Sequence, residues 1–309
     1  KDSQDDFYKH RIFDAIRLEL LPSSAIPPDW LRRYAPNIVG RTIVVVAAEI
    51  SRMAGGLGRV VNYHTIEMMR LAGKDARFLW VEPYYKDFDE TPDATSTKPE
   101  KVAEFDLDMR DIKVKAEVYK HIKKIPVPDG KGEIEYIEIE NYLFKDAENY
   151  YVGKLYEYGP EIKGAARIDA FSEFFSKATV EFTNMMAQPD KEGKAGWDKP
   201  LISLHDGQCL PIAFWKRLLH SQDPEKYKML EGVPVGGTTH TYKNRGIIYF
   251  DSPGQARSFL SDDLKIPSQY HWYWLRRIYN EKGEVKHIVD LTSPGIRTSH
   301  MPNAVARPH

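Results

Sequence analysis

The stretch that most constrains the fold is residues 42–73, TIVVVAAEISRMAGGLGRVVNYHTIEMMRLAG. Residues 42–48 form an unbroken, largely β-branched apolar run, which is typical of a parallel strand covered by helices on both faces. From Leu57 onwards the apolar residues recur at helical spacing, and Gly73 supplies a C-terminal stop. The sequence therefore predicts a strand, a glycine turn and a helix in direct succession, and the other elements can be placed relative to this unit.

The turn between this strand and helix contains Gly55, Gly56 and Gly58. Glycine lets a backbone turn sharply and approach a ligand that a Cβ would obstruct. The first amides of the helix lack intrahelical partners, and the helix dipole adds roughly half a positive charge there. This geometry favours an anion such as a phosphate. Composition leaves a second interpretation open, in which the glycines only form a tight turn.

Length and composition describe an ordinary globular chain of 309 residues with a formal net charge of -1. That charge gives no general electrostatic reason to expect nucleic acid or an anionic membrane as a partner. No apolar run reaches the length of a membrane span, and the first residues lack signal-peptide features, so a cytoplasmic location is expected. The single cysteine, Cys209, lies in an apolar run and is expected to be a small buried side chain rather than a nucleophile.

The sequence predicts an α/β domain (residues 41–309) and an N-terminal extension (residues 1–40), with one helix before Pro22, that packs on the domain surface. In the α/β domain, strands are expected at 76–81, 112–122, 133–139, 200–204, 233–239 and 285–291, helices at 168–186 and 210–219, and an exposed loop at 87–104. A turn, PVPDGKG, separates two strands expected to be antiparallel, and the tyrosine-rich residues 142–160 are expected to form a loop that packs by its rings or stacks on a sugar. The predicted fold is a doubly wound, mostly parallel, Rossmann-like sheet with an antiparallel insertion.

Polar or glycine-rich segments follow several predicted strands: AEISRMAGG, LHDG, TTHTYKNRG and LTSPG. The carboxyl ends of parallel strands share one sheet edge, where ligands bind at the switch in strand order. We therefore expect His205, Asp206 and His240 to face one crevice. Each also has a structural interpretation, because a histidine at a strand end can be a hydrogen-bonded structural residue and Asp206 can cap the following helix.

Several common site signatures are absent from the sequence. It contains no G-x-x-x-x-G-K-[ST], no paired CxxC, no H-E-x-x-H and no G-x-S-x-G, and Val61 stands where a dinucleotide fingerprint needs its third glycine. The sequence therefore predicts neither a metal site nor a tightly bound cofactor.

Several motifs, in order along residues 41–309, resemble those of the glycogen and starch synthases. AAEISRMAGGLGRVV is similar to the family's E-x-x-P-x-x-K-x-G-G-L-x-D-V segment, SLHDGQCLPIAF to H-x-H-D-W-Q, and TTHTYKNRGI to T-I-H-N-x-x-Y-Q-G. The segment ARIDAFSEFFSKATVEF resembles D-N-x-x-R-F-x-x-F-S-x-A-x-x-E, and TSPGIRTSHMPNAV resembles the passage that leads into the second domain.

This resemblance implies the N-terminal half of a GT-B fold and retaining transfer of glucose from a nucleotide sugar, such as ADP-glucose or UDP-glucose, to an α-1,4-glucan. It implies a second, C-terminal Rossmann-like domain of the same protein as partner, without which this domain is expected to be inactive. By the match of motifs, Gly55 and Gly56 lie near the donor phosphates, and His205 and Asp206 lie beside the transferred sugar. His240 matches the histidine of the T-I-H-N segment, and all three are candidate catalytic residues.

The sequence departs from the family pattern in the glycine loop. The interval between Glu49 and the glycine pair is two residues shorter, and Arg52 and Met53 stand where the family has its lysine, so Arg52 is expected to supply the positive charge. Two alternatives follow from these differences: a related GT-B enzyme with another donor or acceptor, and a catalytically silent domain that binds glucan or partners.

Overall fold

The computed structural model describes residues 40–51, 56–72, 76–86, 95–128, 134–153, 167–239, 246–279 and 283–304. The strands are β1 (Thr42–Ala47), β2 (Arg77–Pro83), β3 (Glu100–Met109), β4 (Ile112–Pro128), β5 (Ile134–Asp146), β6 (Leu201–His205), β7 (Val235–Thr239), β8 (Ile247–Phe250), β9 (Leu275–Tyr279), β10 (Val285–Asp290) and β11 (Met301–Ala304). The α-helices are α1 (Gly56–Ala72), α2 (Ile168–Ala187), α3 (Pro211–Gln222), α4 (Pro253–Ser258) and α5 (Thr292–Thr298).

The main sheet has eight strands in the order β11-β7-β6-β1-β2-β5-β4-β3. Strands β11, β7, β6, β1, β2 and β5 are mutually parallel, and β4 runs antiparallel to both β5 and β3. The fold is thus α/β with a mixed, mostly parallel sheet, as predicted, and is compatible with a Rossmann-like arrangement. The predicted strand, helix and strand of the first unit are confirmed, since β1 and β2 pair in parallel across α1.

Three boundaries predicted from the sequence differ from the structure, one in each of the strands β3, β4 and β5. Residues 100–104, expected in an exposed loop, begin β3, an edge strand that is exposed over most of its length and so has the polar composition of a loop. Strand β4 continues through Pro126 and Pro128 into the expected turn. Its pairing with β3 ends at Lys120, so these prolines occupy an edge where the missing N–H costs no ladder bond.

Strand β5 also extends further than the sequence predicted. It reaches Asp146, so Tyr142 lies in a strand and not in a tyrosine-rich loop, and residues 140–144 pair in parallel with β2. Tyr142 packs against Phe182 and Trp197, and Tyr151 stacks on Phe174 with ring centroids 5.4 Å apart. These two tyrosines therefore serve packing, while the tyrosines in residues 154–166 lie outside the described residues.

The two faces of the main sheet carry separate apolar cores. The larger lies under α2 and α3 and includes Val44, Val46 and Phe144, with the aromatic side chains of α2 packed on them. The smaller lies under α1 and includes Val45 and Trp80. The predicted helices at 168–186 and 210–219 are confirmed as α2 and α3, and both are amphipathic helices with an apolar side on the sheet.

A second, three-stranded antiparallel sheet has the order β8-β10-β9 and packs on the larger core through side chains such as Val289 and Phe250. The strand predicted at 285–291 exists as β10 but belongs to this sheet. The expectation that LTSPG follows a strand of the main sheet was therefore wrong; residues 292–298 form α5, and β11 then joins the main sheet beside β7. The predicted N-terminal helix before Pro22 lies outside the described residues.

Candidate functional site

The candidate site lies where the order of the main sheet changes direction. From β1 the chain passes to β2 on one side, and later returns to place β6 on the other side of β1. Ala47 at the end of β1 pairs with His205 at the end of β6. In open α/β sheets the crevice between two such strand ends is the usual place for a ligand.

The loop that follows β1 is anchored by side chains from three directions. The Tyr85 hydroxyl donates to the Ala48 carbonyl at 2.8 Å. The Glu82 carboxylate accepts the backbone N–H groups of Ile50 at 2.9 Å and Ser51 at 3.1 Å. The Asn62 side-chain amide donates to the Ile50 carbonyl at 2.8 Å. These bonds fix the backbone that leads from the central strand towards the N-terminus of α1.

Glu82 is held in turn by a buried polar cluster made of Glu82, Asn141 and His121, which are 1%, 0% and 3% exposed. The Asn141 side-chain amide donates to a Glu82 oxygen and lies 2.8 Å from Nε2 of His121. Since that amide nitrogen can only donate, His121 Nε2 is the acceptor and the neutral ring carries its proton on Nδ1. Burial raises the pKa of Glu82, and burial lowers the pKa of His121 to about 4.

Sequence reasoning missed this cluster. The available signal was a charged residue at the end of the otherwise apolar strand FLWVEP, where Glu82 stands. Its two partners are supplied by β4 and β5, and they come together only through the pairing of His121 with Asn141 across these strands.

Helix α1 begins at Gly56, so Gly58, expected to form part of the turn, lies in the first helical turn. The Gly58 carbonyl accepts a bond from the Asn62 side chain at 2.7 Å, and the same side chain bonds to the loop after β1. Gly56 thus stands at the helix N-terminus, as the anion interpretation requires, while Arg52 and Gly55 lie outside the described residues.

His205 is 1% exposed and ends β6 between the ends of β1 and β7. Its ring meets that of His64 on α1 edge-on, with centroids 5.3 Å apart, and its Nε2 lies 3.3 Å from the Ser203 hydroxyl. His64 is exposed, so the ring pair joins the buried end of β6 to the solvent-facing side of α1. The sequence analysis did not single out His64.

Asp206 has a backbone φ of +69°, the left-handed region that non-glycine residues rarely adopt. Its N–H donates to the Thr238 carbonyl at 2.8 Å, which ties the end of β6 to β7. The N-cap of α3 is Leu210, followed by Pro211, so Asp206 is not the capping residue. Asp206 is 5% exposed, so its carboxyl group is buried at the end of β6.

Cys209 and Asp169 have structural surroundings. The Cys209 thiol is buried, as predicted, and its pKa is raised by burial and by the nearby Asp206 charge, which opposes thiolate formation. Asp169, in the segment ARIDAFSEFF, forms ion pairs with Arg110 at 2.8 Å and Arg167 at 3.0 Å. It anchors the start of α2 to the β3–β4 turn.

The structure thus brings His205 and Asp206 together with the loop after β1, at neighbouring strand ends. His240 lies outside the described residues, directly after Thr239 at the end of β7. Among the residues that the structure describes, no group of three or more His, Cys, Asp or Glu side chains is placed to hold a metal ion. Over the same parts of the chain, no helix combines the length and apolarity that crossing a membrane requires.

No family model matches the chain, and a search of the curated proteins finds no match to it.

Proposed function

We propose that the chain is the N-terminal, acceptor-side domain of a retaining GT-B glycosyltransferase of the glycogen or starch synthase type. The observation that supports this most is the position of the two motif-bearing segments. AEISRMAGGLGRVV follows β1 and SLHDGQ spans the end of β6, and these strands are neighbours at the switch point of the main sheet. Two segments that are far apart in sequence but similar to one family thus follow neighbouring strands, at the edge where open α/β sheets bind ligands, and this supports the proposal.

In this proposal the N-terminus of α1 receives the diphosphate of the sugar nucleotide. Its free amides and dipole stabilise the negative charge that develops on the leaving group, and Arg52 adds the positive charge that a lysine supplies in the family. Glu82, Tyr85 and Asn62 hold the preceding loop in place, so the amides need no reorganisation when the diphosphate leaves.

His205 and Asp206 then form the sugar-facing wall. A buried imidazole at His205 can donate a hydrogen bond to a glucosyl hydroxyl, while the Asp206 carboxylate can accept one. Positive charge develops on the glucosyl ring in the transition state, and a nearby carboxylate favours it. A second Rossmann-like domain provides the remaining donor contacts, and ADP-glucose or UDP-glucose with an α-1,4-glucan are the proposed substrates.

The test is incorporation of radiolabelled glucose from ADP-glucose or UDP-glucose into glycogen by the full-length natural protein. His205→Asn is expected to lower kcat by about a hundredfold or more, since it removes a group that contacts the transferred sugar. The matched control is His287→Asn, on β10 of the second sheet, which should stay within about twofold of wild type. Absence of incorporation from both donors would refute the proposal.

One sequence observation favours a second candidate, a catalytically silent glucan-binding domain: Arg52 and Met53 replace the family's lysine. This candidate predicts that the protein is retained on a glycogen column while it transfers no glucose from any sugar nucleotide. A donor screen by mass spectrometry separates it from a GT-B enzyme that uses a different donor, because only the latter consumes a sugar nucleotide.

A further inference from the structure

A pocket of about 240 Å³ lies at the edge of the main sheet opposite the candidate site. It is formed by the second half of α3, the segment before β7 and the end of α5, which all lie at the amino ends of the parallel strands. Lys216, Arg217, His220 and His300 line it, with Glu231 as the acidic side chain of the lining. The pocket is therefore unusually rich in nitrogen donors for one that has no assigned role.

Lys216 is the most informative of these residues because its side chain is 92% buried, with 8% exposed. Its ammonium donates to the Val233 carbonyl at 2.6 Å, a neutral partner. No ion pair joins it to a carboxylate among the described residues, and burial alone lowers its pKa to about 8. A buried cation without an opposite charge is costly, and an anion in the pocket would compensate it.

His300 presents a fixed donor at the same pocket. Its Nδ1 accepts the Val235 backbone N–H at 3.1 Å, and its own backbone N–H donates to the Val235 carbonyl at 2.8 Å. With Nδ1 occupied as an acceptor, the neutral ring carries its proton on Nε2. The Nε2–H group is therefore held as a donor by the start of β7.

Favourable interaction with the helix dipole does not explain all of the basic side chains that α3 contributes to the pocket. Cations stabilise the last turn of a helix, and this accounts for His220 in α3. Lys216 and Arg217 lie in the middle of the same helix, between Pro211 and Gln222, where the dipole provides little. Two basic side chains, Lys216 and Arg217, thus line the pocket with one carboxylate, that of Glu231, and the pocket is far larger than the about 10–15 Å³ that one water molecule needs.

We propose that this pocket binds a phosphate group, either as the free ion or as part of a small phosphorylated metabolite. A phosphate has enough oxygens to accept bonds from an ammonium, a guanidinium and an imidazole at the same time, and its negative charge favours the protonated form of Lys216 beside Arg217. A single carboxylate offers fewer acceptors and half the charge. The inference does not depend on the proposed transferase activity, because the pocket and the candidate site are at opposite edges of the sheet.

Isothermal titration calorimetry of the full chain with inorganic phosphate, at pH 7 and constant ionic strength, tests the proposal. Wild type is expected to bind with a Kd below about 10 mM. Lys216→Met and Arg217→Ala should each weaken binding by about tenfold or more, since each removes a charged donor. Arg217 is exposed, so its variant keeps the test valid even if Lys216→Met is poorly folded.

The matched control is Arg257→Ala, which removes an exposed arginine from α4 and should leave the phosphate affinity within about twofold of wild type. Absence of binding by wild type, or equal affinities in wild type, Lys216→Met and Arg217→Ala, would overturn the proposal. A parallel titration with glycerol 3-phosphate identifies the source of the phosphate: tighter binding than the free ion indicates a metabolite, and equal binding indicates inorganic phosphate.

Discussion

The two faces of the main sheet are built from different kinds of side chain, although the same strands supply both. On the face under α2 and α3 the sheet contributes apolar residues such as Val46, Val81 and Phe144. On the face under α1, the residues that alternate with them include the Glu82, Asn141 and His121 cluster. One face is an aromatic core, and the other places buried polar groups beside the loop after β1.

Buried polar groups stabilise a fold poorly, because hydrogen bonds made in the folded state mainly replace bonds made to water. Aromatic burial is a direct gain, and ring pairs such as Phe144 with Phe175 add to it. The comparison indicates that the α2/α3 face carries most of the stability, whereas the α1 face uses part of its area to position the loop at the candidate site. Substitutions on the two faces should therefore differ in kind as well as in size.

The largest effect is expected for Phe175→Ala on α2. Phe175 is fully buried between Phe144 and Phe171, so the variant loses apolar burial and leaves a cavity. The free energy of unfolding should fall by about 3–5 kcal/mol, measured by urea denaturation. The control is Tyr249→Ala, which removes an aromatic ring that is 62% exposed and should change stability by less than about 0.5 kcal/mol. A loss below about 1 kcal/mol for Phe175→Ala would contradict this role for the face.

The contribution of the α1 face to stability should instead be recognised by its dependence on pH. A pKa of His121 lowered from 6.5 to about 4 means that the unfolded chain binds this proton more readily than the folded one. Its contribution to stability is therefore complete above about pH 6.5 and is lost as the pH falls towards 4, by about 3 kcal/mol in all. Glu82 acts in the opposite sense, because its raised pKa makes stability fall as the pH rises above 4.5.

The variant His121→Gln isolates the contribution of His121 to the pH dependence of stability, since glutamine keeps an acceptor for the Asn141 amide and does not titrate. Urea unfolding of wild type and variant between pH 4 and pH 8 gives the difference between their free energies of unfolding. The carboxyl groups that titrate alike in both proteins cancel in this difference. The free energy of unfolding of wild type, relative to that of the variant, should fall by about 3 kcal/mol from pH 6.5 to pH 4. Parallel pH profiles would show that His121 is not kept neutral by its surroundings.

The sequence was sufficient for elements whose own residues define them. The apolar run of β1 and the helical spacing of α1 and α2 reflect burial by neighbours close in the chain, and all three are found. It was insufficient where an element depends on distant pairing. Strand β3 is polar because it lies at a sheet edge, and residues 142–144 of β5 were wrongly expected in a loop because their partner is β2, about sixty residues earlier.

The same limit applies to the site. His205 and Asp206 could be selected because polar residues after a buried strand mark the ligand edge of a parallel sheet. Neither the left-handed φ of Asp206 nor the contact of His205 with His64 could be read from the residues, since both depend on the approach of β6 and α1 in space. Glu82 shows the limit most clearly, because its function depends on partners from two other strands.

The smallest loss of stability, and the one most specific to one face of the sheet, is expected for Asn62→Ala. Its side-chain amide joins the Ile50 carbonyl to that of Gly58, so its loss unties the loop after β1 from α1. The control is Asn184→Ala on α2, where the same kind of amide donates to the Lys226 carbonyl at 2.9 Å. Asn184→Ala should lose about 1 kcal/mol of stability, the usual value of one such bond, and Asn62→Ala about 1–2 kcal/mol, because it removes two.

Amide hydrogen exchange then separates the two variants. The Ile50 and Ser51 amides, which donate to Glu82, should exchange faster in Asn62→Ala than in Asn184→Ala, by more than the difference in global stability explains. The reason is local: without Asn62 the loop loses its tie to α1 while it keeps the bonds from Glu82 and Tyr85, so it opens at a lower free energy than the rest of the fold. Equal exchange in both variants would mean that the polar groups of the α1 face only add stability, and the contrast between the faces would then be one of composition alone.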